Sequence, residues 1–217
     1  LNSIMMHETL EAITRISEDS KIRVAILTGA GRSFIAGADL KGSEDRTLES
    51  FNKHILDNQR LAFEMLNCPK PLIAAVNGWA LGGGLEIALD CDIVIASQTA
   101  KFGFPEVNVG LFHTTGITYL LPRMIGLKRT MDIILTGRFF EAQEAFQMGL
   151  VNKVVKPDDL IPHTKEIALE IIKKSPVAIR WAKRAFQVGA AIDLFGALSM
   201  ETEGVTSCFL SEDRLEG

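Results

Sequence analysis

Apolar positions recur along the chain with two periods, and their alternation predicts an α/β fold. Leu1, Ile4, Met5, Leu10, Ile13 and Ile16 fall at helical spacing and predict an amphipathic helix over residues 1–19. The β-branched run from Ile22 to Thr28, stopped by Gly29, predicts a buried strand. Small residues from Gly29 to Asp39 predict loop and turn, and a longer helix is expected from Leu48 to Leu66. Pro69-Lys70-Pro71 ends that helix, because proline cannot continue it and restricts the residue before it. Strands are expected at Leu72–Val76, Asp92–Ala96 and Val151–Val155, with helices at 83–89, 128–135 and 141–148. From Pro157 onward the pattern is helical, with Ser175-Pro176 as an N-cap and first-turn pair. No internal repeat is clear enough to define from the pattern alone.

Composition narrows the class. Apolar residues make up 47% and charged residues 23% of 217 residues, the balance of a globular chain able to bury a large core. The reading divides the chain into an α/β core over residues 1–156 and a helical region over 157–217. A net charge of −4 disfavours general binding to nucleic acid or acidic membrane, and no apolar run is long enough to span a bilayer. Cys68, Cys91 and Cys208 are odd in number and far apart, which points to reduced thiols in the cytoplasm, or in the mitochondrial matrix of a eukaryote. Cys91 lies among apolar residues and is expected to be an inert core thiol. The four histidines show no paired ligand spacing, so no metal is expected.

Candidate chemistry starts at Asn77-Gly78-Trp79-Ala80-Leu81-Gly82-Gly83-Gly84-Leu85-Glu86. Residues 78–84 do not supply the dinucleotide fingerprint, and the P-loop frame fails because no Gly-Lys-Ser/Thr follows Gly83. What remains is a loop without side chains just before a helix, where backbone N–H groups meet the positive end of the helix dipole. Such donors suit an oxyanion hole. Alternatively the glycines only permit tight packing and Glu86 is a first-turn residue favoured by the dipole; spacing leaves both readings open.

Glu106 is a second carboxylate among apolar residues, in Lys101-Phe102-Gly103-Phe104-Pro105-Glu106-Val107. Apolar surroundings favour a carboxyl group's neutral form and suit it to proton transfer near neutral pH. Two such glutamates, one beside a candidate oxyanion hole, suggest acid–base work on a carbonyl compound. Each alone reads more readily as a satisfied structural charge.

Ordered motifs along nearly the whole chain resemble the crotonase family (enoyl-CoA hydratase/isomerase). They include Arg23–Gly29, Ser33–Leu40, Lys70–Gly78, Ala80–Glu86, Cys91-Asp92 and Phe102–Glu106. Leu135–Gly137, Glu144-Ala145, Gly149–Val151 and Ser175-Pro176 continue the series. The resemblance implies a spiral of strand–strand–helix repeats with a C-terminal helical region that builds homotrimers, often paired into hexamers. It implies an acyl-CoA thioester substrate and no separate cofactor, coenzyme A being part of the substrate. Ala38 and Gly83 would supply the two oxyanion-hole N–H groups. Ala36, Gly37, Ala38, Asp39 and Leu40 would form the CoA-binding loop, with the Ala36 carbonyl offered to the adenine. By the same resemblance Glu86 would activate the water that attacks C3 and Glu106 would protonate C2, hydrating a trans-2-enoyl-CoA to a 3-hydroxyacyl-CoA.

The chain departs from the pattern after Gly110. His113 stands at the usual proline place, and Thr114 and Thr115 replace small residues, so acyl-pocket shape is expected to differ. Trp79, His113 and Thr114 are the candidate acyl-pocket residues. Lys183 and Arg184 are expected on a solvated helix face. By the resemblance both ends are expected to be incomplete. The alternatives are another crotonase-type acyl-CoA reaction (double-bond isomerisation, hydrolysis, lysis or decarboxylation) and a non-catalytic RNA-binding relative.

Overall fold

Helix α1 (Ser3–Glu18) starts where the Asn2 side chain accepts the Met5 N–H at 2.9 Å, and it buries Met6 and Ile13. This computed structural model describes residues 1–39 and 47–212. After α1 the chain runs through strands β1 (Ala25–Thr28) and β2 (Ser33–Ile35) into helix α2 (Leu48–Asn67). Strands β3 (Leu72–Val76) and β4 (Trp79–Leu81) and helix α3 (Gly83–Leu89) repeat that order. Strands β5 (Ile93–Ser97) and β6 (Lys101–Gly103) begin a third round, followed by a 3-10 turn over Pro105–Val109. Helices α4 (Ile117–Ile125) and α5 (Leu127–Thr136) lead to β7 (Phe139–Glu141), α6 (Ala142–Met148) and β8 (Lys153–Val155). Helices α7 (Leu160–Ile172), α8 (Pro176–Gly189) and α9 (Leu194–Leu210) follow.

The first strand of each round joins one sheet and the second joins another. One sheet has the order β1-β3-β5-β8 and is parallel throughout; the other has the order β2-β4-β6-β7, with β7 antiparallel to β6. This is the spiral that the family resemblance implies, and its repeat is visible in topology although it was not clear in the residue pattern. All five residues of β3 are buried, as a parallel strand covered on both faces requires. Leu72, Ala74 and Val76 join the main core with Met65, Phe102 and Phe104, whereas Ile73 and Ala75 point the other way, to Ile95 and to Leu160 and Ala168 of α7.

Side chains tie one round to the next. Asn77 at the β3–β4 corner accepts the Gly29 N–H at 3.1 Å and donates to the Gly31 carbonyl at 3.0 Å, so successive corners stack. Asp92 accepts the Leu72 N–H at 2.8 Å, Lys183 Nζ at 2.8 Å and Gln187 Nε2 at 3.2 Å. This corrects the expectation of a solvated Lys183. Its side chain is 7% exposed and fastens α8 to the start of β3. Burial pushes the Cys91 thiol pKa well up, consistent with an inert core residue.

Helices α8 and α9 pack on each other, with Gly204 against the Trp181 ring, and leave Phe186, Leu194, Phe195, Val205 and Leu210 exposed. The boundary expected at residue 156 falls before α7, which covers the first sheet. Among the described residues no helix is long and apolar enough to cross a membrane.

Candidate active site

The corner between β4 and α3 builds the floor of the site. Gly82 has φ +52°, a backbone state that glycine adopts without a Cβ penalty. Its N–H donates to the Gly103 carbonyl at 2.9 Å, and its carbonyl accepts the Leu85 and Glu86 N–H groups at 2.9 and 3.0 Å. No side chain caps α3, and Gly83 is its first residue, where an N–H has no acceptor within the helix. A Cβ on Gly84 would stand 2.1 Å from the Ile35 carbonyl oxygen. Gly84 thus permits close packing, and Gly83 places a backbone N–H at the helix start.

Glu86 follows in the first turn of α3, with a side chain only 3% exposed. Glu106 sits on the 3-10 turn, which ends at Gly110 in the left-handed region with the Leu111 N–H bonded to the Glu106 carbonyl at 2.9 Å. Asn108 Nδ2 anchors that turn to the Gly137 carbonyl at 3.0 Å.

Between the two carboxylates stands His113. Its Nδ1 lies 3.3 Å from Glu86 Oε1 and 3.6 Å from Glu106 Oε1, and its side chain is 2% exposed. These are ion-pair distances without hydrogen-bond alignment: both ring nitrogens, Glu86 Oε1 and Glu106 Oε2 are buried and lack a hydrogen-bond partner. Phe104 packs edge-on to the imidazole at 5.2 Å and Phe112 lies at 5.4 Å. Desolvation pulls the His113 pKa down, but the two carboxylates outweigh it and raise it to about 9. Asp90, one turn beyond Glu86, is buried; desolvation and the neighbouring Glu86 charge hold its pKa well above the usual carboxylate range.

These groups open on a cleft of about 610 Å³, whose lining includes Ala38, Gly83, Glu86, Asp90, Glu106 and His113. A larger groove of about 750 Å³ runs between α1 and α2 but contains neither glutamate nor the glycine corner, so the chemistry belongs to the smaller cleft. Of the expected residues, Ala38, Asp39, Gly83, Glu86, Glu106, His113 and Thr114 line the cleft together, with Asn58 Nδ2 donating to Thr114 Oγ1 at 3.3 Å. Ala36 and Gly37 do not line it; Gly37 accepts from the Leu1 nitrogen, and the Asp39 N–H donates to the Leu1 carbonyl at 2.9 Å. Leu40 lies outside the described residues.

Trp79 corrects the pocket expectation. It lies outside the cleft lining and stacks edge-on against Phe139 at 5.5 Å beneath Lys101, because its place on β4 turns it toward β7. His113 does more than shape a wall, since it bridges the acids. Asp90 was not singled out from sequence; its signal is an acid at i+4 from Glu86 on an otherwise apolar helix. Glu86, Glu106 and His113 each offer a ligand atom, all within 4.8 Å of one another, a proximity that their spacing along the chain did not suggest. A protonated Nδ1 has no lone pair for a metal, so an ion there would have to displace that proton.

Comparison with known proteins identifies the family of this fold. The profile of the enoyl-CoA hydratase/isomerase family matches residues 1–217. A short-chain-enoyl-CoA hydratase of Clostridium acetobutylicum is 44% identical over 217 residues, covering 99% of this chain and 82% of the relative. A crotonyl-CoA hydratase of Syntrophomonas wolfei is 38% identical, covering 100% of this chain and 84% of the relative. Among solved structures, an enoyl-CoA hydratase of Bacillus anthracis superposes with a TM-score of 0.96 at 39% identity, covering 100% of this chain and 84% of that one. On sequence and topology, the chain belongs to the enoyl-CoA hydratase/isomerase family.

Proposed function

We propose that the chain is an enoyl-CoA hydratase, adding water across the 2,3-double bond of a trans-2-enoyl-CoA to give a 3-hydroxyacyl-CoA. The observation that carries this reading is the meeting of Glu86 and Glu106 at one imidazole nitrogen, in a cleft that also contains Gly83. Backbone N–H groups of Ala38 and Gly83 bind the thioester oxygen and stabilise the enolate-like charge that develops there. Glu86 takes a proton from the water that attacks C3, and Glu106 delivers one to C2. No separate cofactor is required. The loop from Ala36 to Leu40 holds the adenine end of coenzyme A. The hydratases among the relatives, named for short-chain enoyl-CoA and crotonyl-CoA, support a short acyl group.

The exposed apolar side chains of α8 and α9 support assembly into trimers or pairs of trimers, since a patch of Phe186, Leu194, Phe195 and Leu210 needs cover. Three unpaired cysteines fit a reducing compartment, and the cytoplasm is the proposed location.

The test is loss of enoyl-thioester absorbance with crotonyl-CoA, comparing the parent with Glu86→Gln and Glu106→Gln. The expected result is turnover by the parent and a loss of about a hundredfold or more in each variant. A parent that binds acyl-CoA without consuming the double bond would sink the hydratase reading and leave isomerisation or thioester hydrolysis to be assayed on the same samples.

A further inference from the structure

Two-glutamate hydration leaves a proton in the wrong place. After one turnover Glu86 carries the proton taken from water, and Glu106 has lost the one given to C2. The cycle closes when Glu86 loses a proton and Glu106 regains one, either by exchange with solvent or through a group that stands between them. The structure sets one buried nitrogen, His113 Nδ1, 3.3 Å from Glu86 Oε1 and 3.6 Å from Glu106 Oε1. Resting on the hydratase reading, we propose that His113 is the proton relay of this site, giving its Nδ1 proton to Glu106 and recovering one from Glu86.

The bookkeeping of protons balances. At rest both glutamates are carboxylates and His113 is an imidazolium. Nδ1–H passes its proton to Glu106, leaving neutral imidazole with the hydrogen on Nε2. Glu106 gives that proton to C2 while Glu86 takes one from the attacking water, whose hydroxyl forms the new C3–O bond. Glu86 then returns its proton to Nδ1. The sum is one water added across the double bond, with all three side chains restored.

Several observations favour this over a packing role. Nδ1 faces two acids at once, a placement that packing alone does not require, and a small rotation of the ring would align it with either carboxylate. The Phe104 and Phe112 rings pack against the imidazole, edge-on and tilted, at 5.2 and 5.4 Å. The charge balance agrees, since the carboxylates keep the ring protonated to about pH 9. The titratable groups lining the same cleft are Glu86 from α3, Asp90 just after it, Glu106 from the 3-10 turn, His54 from α2, Asp39 from the loop after β2 and the Leu1 amino group.

The experiment measures kcat and KM of the full chain with crotonyl-CoA from about pH 6 to about pH 10, beside His113→Gln and His113→Asn. The relay predicts a parent whose kcat falls as pH rises through about 9, where His113 loses its proton. In both variants a carboxyl group must store the proton. The falling limb therefore moves to lower pH, and kcat near neutral pH drops by about tenfold or more with KM little changed. Added imidazole restores part of the lost kcat. Variants that keep the parent's pH profile, or whose deficit imidazole leaves untouched, overturn the relay while parental turnover upholds the hydratase reading. A parent without turnover overturns both. Should either variant fold poorly, NMR titration of the parent's histidines decides: a His113 imidazole that titrates at its ordinary value overturns the proposal.

Discussion

Gly82 and Glu106 face each other so closely that a methyl group on Gly82 would stand 2.6 Å from Glu106 Oε1. The glycine thus sets the place of the Glu106 carboxylate from the opposite element. The carboxylate is the mobile end of a flexible side chain, so a Gly82→Ala collision resolves by moving Glu106. The φ of +52° adds strain of roughly 1–3 kcal/mol for a residue with a Cβ. Gly82→Ala should therefore lose at least about tenfold in hydration while still folding. Paired kinetics and thermal melting check this; a variant that melts lower but turns over normally contradicts it.

Gly84 behaves differently, because its neighbour is backbone. A Cβ there would meet the Ile35 carbonyl oxygen at 2.1 Å and the Ile35 Cβ at 2.7 Å, and β2 cannot yield as a side chain can. Gly84→Ala should destabilise the fold by about 1–3 kcal/mol or more. A urea titration reads that loss directly, and an unchanged midpoint would show that the corner is looser than drawn.

The His113 charge makes stability depend on pH. Its folded-state pKa of about 9 lies above the ordinary value of 6.5, so the protonated ring stabilises the fold fully below pH 6.5. That contribution fades as pH rises through about 9. The parent's melting temperature should decline across this window, and His113→Gln should remove much of the slope. Parallel slopes in the two proteins would refute the linkage.

Asp90 acts in the same direction from lower pH. Its raised pKa means that the neutral form is favoured in the fold, and that contribution is lost as pH climbs above the ordinary value of 3.8. Asp90→Asn keeps the shape without the buried charge. It should raise the melting temperature at neutral pH by roughly 2–4 °C for each kcal/mol recovered. A fall instead would mean that the carboxyl group makes a bond worth more than its burial costs.

Phe186 and Phe195 are 82% and 81% exposed, an unfavourable disposition for two phenylalanines on neighbouring helices. Phe195→Glu should shift the chain to a smaller species by light scattering. A parent already monomeric at working concentration removes the case for assembly through this face.

Much of this architecture was legible in the residues. Leu48–Asn67, Leu72–Val76 and Gly83–Leu89 match the periodic pattern to within a residue, because long amphipathic helices and fully buried strands carry strong signals. Strands β2, β4, β6 and β7 were not legible. Each has three residues, too few for alternation, and each exists only because a neighbouring round supplies the ladder. Glu86 and Glu106 stood out as acids in apolar settings. His113 was noticed only as a departure from a family pattern. Its distance to both acids depends on how the segment after Gly110 folds back, which spacing along the chain does not encode. Lys183 misled for a related reason: its partner Asp92 is 91 positions away.

Gly83, Glu86, Glu106 and His113 come from a stretch that also carries Asp92 and strands β5 and β6, but the segment from Leu111 to Gly116, which holds His113, takes part in no sheet register. That short segment can be treated as an interchangeable cartridge in a durable chassis. Altering the segment after Gly110 retunes how protons travel without re-registering a strand. A chain built this way can acquire a new acid–base habit through very few substitutions, and transplanting this segment between relatives is a practical way to move a pH preference from one enzyme to another.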